Sequence, residues 1–128
     1  MFQGISLYLS LNYKDEEIIR MIIKNADDII SGIEEYDITF DKFKDKRFLK
    51  NSISMSIMQI GEHTKKLSKE FRKKHSHIPW VLIGDMRNRF AHAYDVMNEE
   101  MIWDVAIEYV PELKKECIKI PEEVQDGQ

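Results

Sequence analysis

The chain has 128 residues, 43% of them apolar and 33% charged, with a formal net charge of −4. That length and apolar content suffice for one domain with its own core, and they exclude a chain that is disordered over most of its length. The acidic balance excludes a protein held on nucleic acid chiefly by bulk charge.

Residues 1–13 alternate weakly and carry no charge. They read as an N-terminal extension: a strand-like arm, the start of a helix or a non-native remnant. They lack the basic segment, apolar stretch and small-residue cleavage site of a secretory leader. No apolar run approaches the ~20 residues that span a bilayer, so a cytoplasmic protein without membrane contact is expected. From Lys14 to Tyr36, Ile18, Met21, Ile22, Ala26, Ile29, Ile30 and Ile33 recur at steps of three and four, the period of an amphipathic helix. Gly32 and Asp37-Ile38-Thr39 mark its end, and Thr39 or Asp41 can cap a short turn through Phe43.

A second long helix is predicted from about Asp45 to Phe71, with Leu49, Ile53, Ile57, Ile60, Thr64, Leu67 and Phe71 as its buried stripe. Ser52, Ser54, Ser56 and Gly61 beside that stripe are small enough for a close helix approach. Residues 73–78 form a loop ending at Pro79, which suits a first helical turn, so a third helix runs from about Trp80 to at least Ala91. Asn98 is the N-cap of a fourth helix, with Glu99 and Glu100 complementing its dipole. Met101, Ile102, Val105, Ala106, Tyr109 and Leu113 point inward from it, and Pro111 must kink or restart it. Cys117 is the sole cysteine, which excludes an intrachain disulfide and a thiolate zinc site and suits a reducing compartment. Residues 119–128 form an acidic tail expected to fray. No hairpin signal or sustained alternation competes. The expected fold is all-α: an up-and-down helical bundle of four long helices over residues 14–118.

The third helix is the most informative segment. On a wheel of ~100° per residue, Ile83, Phe90, Met86, Ala93 and Leu82 crowd into one arc, the core face. Asp85, Asn88 and His92 fall opposite, with Arg87 on the boundary. Asn88 and His92 are neighbours at a spacing of four, whereas Arg87 and His92 diverge by about 140° around the axis. One straight helix cannot converge those two on a single group. Either the helix loosens near Ala91, or a second protomer sets its own third helix opposite. Tyr94, seven residues from Arg87, returns to the Arg87 side if the helix lasts that far. His63, His75 and His77 read as surface residues, and His75-x-His77 lacks the spacing and further partners of a zinc site. Trp80 and Trp103 read as core or interface aromatics. No metal and no cofactor is called for.

Charge is unevenly placed. Lys65, Lys66, Lys69, Arg72, Lys73 and Lys74 stand against Glu70 alone between residues 65 and 77, whereas nine acids face three lysines from Asn98 onward. Both read as solvated helix faces, or the first as a strip that receives a polyanion.

The run Ile78-Pro79-Trp80, then Ile83 to Tyr94 (IGDMRNRFAHAY), then Trp103 and Pro111-Glu112-Leu113, resembles the HEPN-domain family and, within it, the HepT-like toxin branch. Ile60-Gly61-Glu62 followed by Lys66-Leu67 is similar to that branch's second-helix motif. The resemblance covers about residues 14–118. Where the branch often has Ala-Gly-Met before the Arg, this chain has Gly84-Asp85-Met86.

The resemblance implies a metal-independent endoribonuclease toxin, active as a homodimer whose Arg and His motifs face each other across a cleft. The residue types suit that chemistry. His92, with a reference pKa near ~6.5, can serve as acid or base at neutral pH. Arg87 offers a permanent cation with fork geometry for phosphate oxygens, and Asn88 can fix the ring or donate to the phosphate. Lys65, Lys66, Lys69, Arg72, Lys73, Lys74 and Arg89 become candidate RNA-backbone contacts. The resemblance also implies a minimal nucleotidyltransferase antitoxin that attaches AMP to the tyrosine two residues after the motif His, here Tyr94, whose hydroxyl is then expected near the phosphate site. Two alternatives belong to other classes: a HEPN dimer that binds nucleotide, RNA or its partner without turnover, and a purely structural four-helix bundle.

Overall fold

The computed structural model describes the backbone of residues 2–126 and the side chains of residues 14–120 other than Asp95. Helix α1 spans Phe2–Glu35, α2 Phe40–Asp45, α3 Arg47–Lys66, α4 Lys69–Lys74 and α5 Trp80–Ala93. A 3₁₀ turn, Tyr94–Val96, leads to α6 (Glu99–Asp104), which passes through a π-helical segment (Val105–Tyr109) into α7 (Val110–Asp126). No strand occurs among the described residues. The four rods are α1, α3, α5 and the continuous α6–α7, an all-α bundle as the periodicity predicts. Residues 2–13 belong to α1, and α7 takes in most of the acidic tail.

Helix α1 buries Ile18, Ile19, Ile22, Ala26 and Ile29, so Ile19 joins the stripe and Met21, expected inward, faces solvent. Its C-terminus is set by Asp37 rather than Gly32. Asp37 takes a left-handed φ of 49°, Ile38 N–H donates to the Ile33 carbonyl at 2.9 Å and Asp37 N–H to that of Glu34 at 3.2 Å. This is a Schellman closure, and Ile33 and Ile38 both pack on the core beside it. Thr39 Oγ1 then accepts from Lys42 N–H and caps α2, which inserts the fully buried Phe43. Trp103 of α6 lies over Phe43 and Phe40, ring centroids 5.2 and 6.3 Å away.

The second long helix does not reach Phe71. It ends at Lys66, and Leu67 and Ser68 are extended. The cause is a competing set of hydrogen bonds. Asp15 of α1, itself buried, accepts from Ser68 N–H at 2.8 Å and from Ser68 Oγ–H at 2.7 Å. The same Oγ accepts from Phe71 N–H and caps α4. Pairing Ser68 with Asp15 also fixes α3 antiparallel to α1. Leu67 remains in the core although it has left the helix.

Asn98 caps α6 through the Glu100 N–H at 2.7 Å. Pro111 is accommodated by a widened segment before it, after which the α-helix restarts at Val110. Proline has no N–H and its ring clashes with the carbonyl four residues back; the preceding turns adopt π geometry, with Val110 N–H on the Val105 carbonyl. The rod resumes and buries Leu113, Cys117 and Ile120. Burial pushes the Cys117 thiol up to about 12, so it is a core group without thiolate character. Lys114 pairs with Asp27 and ties α7 to α1.

Helix α1 packs between α3 and α7, and α3 packs between α1 and α5. Helix α5 therefore stands at an edge, with α3 as its main neighbour. Ile83, Phe90 and Trp80 reach the core, but Leu82, expected inward, is 57% exposed, because an edge helix buries a narrower arc than its apolar residues span.

Ser68→Ala should remove the α4 cap and one arm of the Asp15 clamp together. A loss of about 1–2 kcal/mol is expected, read as a lower urea midpoint at unchanged slope.

Candidate functional site on the edge helix

The site begins with two glycines. Helices α3 and α5 run antiparallel and meet without intervening space at Gly61. A Cβ placed there would lie 2.2 Å from Arg87 Cβ, 2.9 Å from Arg87 Cγ and 3.2 Å from the Ile83 carbonyl oxygen. The stem of Arg87 therefore lies directly on the Gly61 backbone. The mirror contact is looser: a Cβ on Gly84 of α5 would meet the stem of Lys65 at 3.9 Å.

From this crossing the polar ends fan outward. Arg87 Nε lies 2.8 Å from a Glu62 carboxylate oxygen, at ion-pair distance without the in-line geometry of a hydrogen bond. Arg87 is 29% exposed at its side chain and Glu62 46%. Arg87 Nη1 donates to Asn88 Oδ1 at 3.3 Å, and Lys65 Nζ donates to the same oxygen at 2.5 Å. His92, one turn beyond Asn88, is exposed and has no hydrogen-bond or ion-pair partner among the described residues. Arg89 is exposed on the same helix.

Helix α5 keeps its regular form through His92. The loosening near Ala91 that would bring Arg87 and His92 together within one chain is thus not found. The break comes at Ala93, at φ −132° and ψ 17°, and it redirects Tyr94. Its ring packs against the core, its hydroxyl donates to Asn51 Oδ1 of α3, and the Lys50 ammonium, paired with Glu99 at 3.4 Å, lies 5.2 Å from the ring centroid. Asn51 is eleven residues before Glu62, roughly 16 Å along α3 at ~1.5 Å per residue. Within one chain the Tyr94 hydroxyl is therefore remote from the Arg87 guanidinium, contrary to the wheel, which assumed that the helix continued.

The basic strip divides in two. Lys65 belongs to the Asn88 cluster, while Lys69, Arg72 and Lys73 line a shallow concavity of about 650 Å³ with Ser76, Pro79, Val81, Leu82 and Asp85. Lys66 and Lys74 are exposed beside it. Of the other histidines, His75 is buried rather than at the surface: its ring stacks on Phe71 at 4.6 Å and its carbonyl takes the Trp80 indole N–H at 3.1 Å. His63 is half-buried, and desolvation, then Lys66, hold its pKa below the usual imidazole value despite Glu62. His77 lies 3.7 Å from Glu116. No group of three or more His, Cys, Asp or Glu able to hold a metal occurs among the described residues, and no helix there is long and apolar enough to cross a membrane.

Sequence reading named Glu62 only as part of the second-helix motif, with no role, and did not single out Asn51. Nothing in the primary structure pairs position 62 with 87, or 51 with 94, until the register of α3 on α5 is known; the small Gly61 within its apolar stripe was the available sign of a crossing.

Gly61→Ala sets a helix-propensity gain of up to ~1 kcal/mol against overpacking that costs ~1–3 kcal/mol or more. Because the Cβ meets a stem and a backbone carbonyl, overpacking should win, with a lower urea midpoint for Gly61→Ala and none for Gly84→Ala.

The family described as ribonuclease HepT-like matches residues 26–120. A Methanocaldococcus jannaschii protein, named as a gamma-glutamylcyclotransferase with a proposed RNase, is 35% identical over 83% of this chain, which spans 49% of that longer protein. A protein of Caldanaerobacter subterraneus subsp. tengcongensis whose name proposes an RNase is 39% identical over 65% of this chain and 74% of its own. A Thermococcus cleftensis protein named probable ribonuclease HepT is 27% identical over 77% and 91%. No solved structure matches.

Proposed function

This chain belongs to the HepT-like ribonuclease family, and from that premise we propose that it is a metal-independent endoribonuclease, the toxin of a toxin–antitoxin pair. One observation carries the reading. Arg87, Asn88 and Lys65 gather their donor groups on the exposed side of an edge helix, with His92 one turn further along that side.

In the proposed reaction a base removes the proton of a ribose 2′-OH, and the 2′-oxygen attacks the adjacent phosphorus. The new P–O2′ bond forms as the P–O5′ bond breaks, and the departing 5′-oxygen takes a proton from an acid. The products are a 2′,3′-cyclic phosphate and a 5′-hydroxyl. An imidazole can act at either proton transfer, so His92 is assigned this role. Arg87, with its fork, and Asn88, with its amide, stabilise the charge that builds on the phosphorane. Lys69, Arg72 and Lys73 offer the flanking backbone a cationic concavity whose apolar wall includes Val81 and Leu82.

Because Arg87 and His92 diverge on a helix that stays regular, the active unit is proposed to be a homodimer in which α5 and the α6–α7 rod meet a second copy. Exposed Val96 and Met101, at the junction of those two elements, suit such a contact.

A minimal nucleotidyltransferase is the proposed antitoxin, with Tyr94 as its target. The phenolic oxygen would attack the α-phosphorus of ATP, lose its proton and expel pyrophosphate. The resulting adenylate would break the Asn51 hydrogen bond and set an anion near Lys50.

His92→Ala should abolish cleavage of an RNA oligonucleotide at nearly unchanged melting temperature, since the residue is exposed. Arg87→Lys should lose about 100-fold or more in kcat. Cleavage in excess EDTA should continue and yield the cyclic phosphate; a strict need for added Mg²⁺ would refute the mechanism.

After co-expression with the nucleotidyltransferase, intact mass spectrometry should show the wild type heavier by AMP and Tyr94→Phe unshifted. Equal modification of both proteins would move the target elsewhere.

A further inference from the structure

We infer that Glu62 is a positioning residue for Arg87, and that it selects which edge of the guanidinium faces the substrate. The inference rests on the ribonuclease reading for its catalytic part and on geometry for the rest. Arg87 is fixed at two levels. Its Cβ and Cγ lie on Gly61, where no other side chain would fit, and its Nε faces the Glu62 carboxylate at 2.8 Å. With a Glu62 carboxylate oxygen 2.8 Å from Nε and one Nη1 hydrogen on Asn88 Oδ1, the Nη1–Nη2 edge is the side of the guanidinium turned away from the carboxylate. That edge presents parallel donors to two phosphate oxygens, as the Nε–Nη2 edge would if no carboxylate stood beside Nε.

Asn88 is set by the same cluster. Its Oδ1 accepts from two cations, Lys65 Nζ and Arg87 Nη1. The reverse amide orientation would press an NH₂ group against both positive charges, so Nδ2 points away from Lys65 as a further donor for an anion. Lys65 is thus an orienting group as well as a source of charge.

Stability alone gives little reason for the Glu62 contact. A carboxylate that is 46% exposed contributes little by pairing at a surface. It also lowers the positive charge of a site meant for phosphate, from two cations to a net single charge. The arrangement makes sense if orientation is worth more to the reaction than that attraction, because a misplaced donor can cost about a hundredfold in rate.

The two effects separate kinetically. Glu62→Gln removes the anion and keeps the shape. For a positioning residue, kcat on an RNA oligonucleotide should fall about 10–100-fold, while KM stays level or falls as the site becomes more positive. Glu62→Asp should restore part of kcat. A pure charge effect would instead lower KM at unchanged or higher kcat, and a merely structural one would lower kcat only with the melting temperature; either result overturns the proposal. A second measurement needs no turnover. In ¹H–¹⁵N spectra of arginine side chains, Arg87 Nε–H should give a resonance displaced from the free-arginine position by the adjacent carboxylate, and Glu62→Gln should return it toward that position; an unchanged resonance overturns the proposal. A wild type that cleaves no RNA but shows the Glu62-dependent resonance supports the hold of Glu62 on Arg87 and refutes the ribonuclease reading instead.

Discussion

The close crossing of α3 over α5 governs the rest of this molecule, because the side chain of Arg87 is seated on the backbone of Gly61. Two helices can approach that closely only where one lacks a side chain, and here the space is taken by the stem of a cation rather than by core. The polar end of Arg87 then has a defined starting point, and Glu62, one residue along α3, meets it at 2.8 Å. Lys65, a turn further on, lies over Gly84 and reaches Asn88. One steric fact thus sets the register of α3 on α5 and the arrangement of donors on the exposed face.

The other end of the same interface is fixed differently. The break at Ala93 turns Tyr94 onto α3, where Asn51 takes its hydroxyl and Lys50 lies over its ring. Arg87 and Tyr94 are thereby held against the two ends of α3, with His92 exposed between them. The scaffold behind α3 is equally constrained. Asp15 draws Ser68 out of helix and stops α3 just past Lys66, so that α4 folds back with its cations beside the start of α5. The π segment before Pro111 keeps the last rod unbroken, and Leu113, Cys117 and Ile120 stay in the core.

The net charge of −4 conceals a separation of sign. Lys69, Arg72 and Lys73 line one concavity, whereas Glu100, Asp104, Glu108 and Glu112 line another with Met101, Val105 and Tyr109. A polyanion approaching such a molecule is attracted to one face and repelled by the other. Local fields of this kind steer encounter whatever the total charge.

What the sequence determined by itself were the properties that depend on neighbours along the chain. Apolar residues at steps of three and four mark the long helices, because burial on one face of a helix has that period. Thr39 and Asn98 cap helices because their oxygens satisfy backbone N–H groups within the next turn, and Pro111 had to perturb the last rod because proline has no N–H to give. The Arg-Asn-x-x-x-His string and its family resemblance were legible for the same reason. What only the tertiary structure decided were relations between residues far apart in the chain. Asp15 stops the second long helix from 53 residues away, Glu62 meets Arg87, Asn51 takes the Tyr94 hydroxyl, and Leu82 is left outside because α5 stands at an edge. These depend on helix register and on how many neighbours each helix has, which are set by steric fit between surfaces such as Gly61 and the Arg87 stem, and no local period encodes that fit.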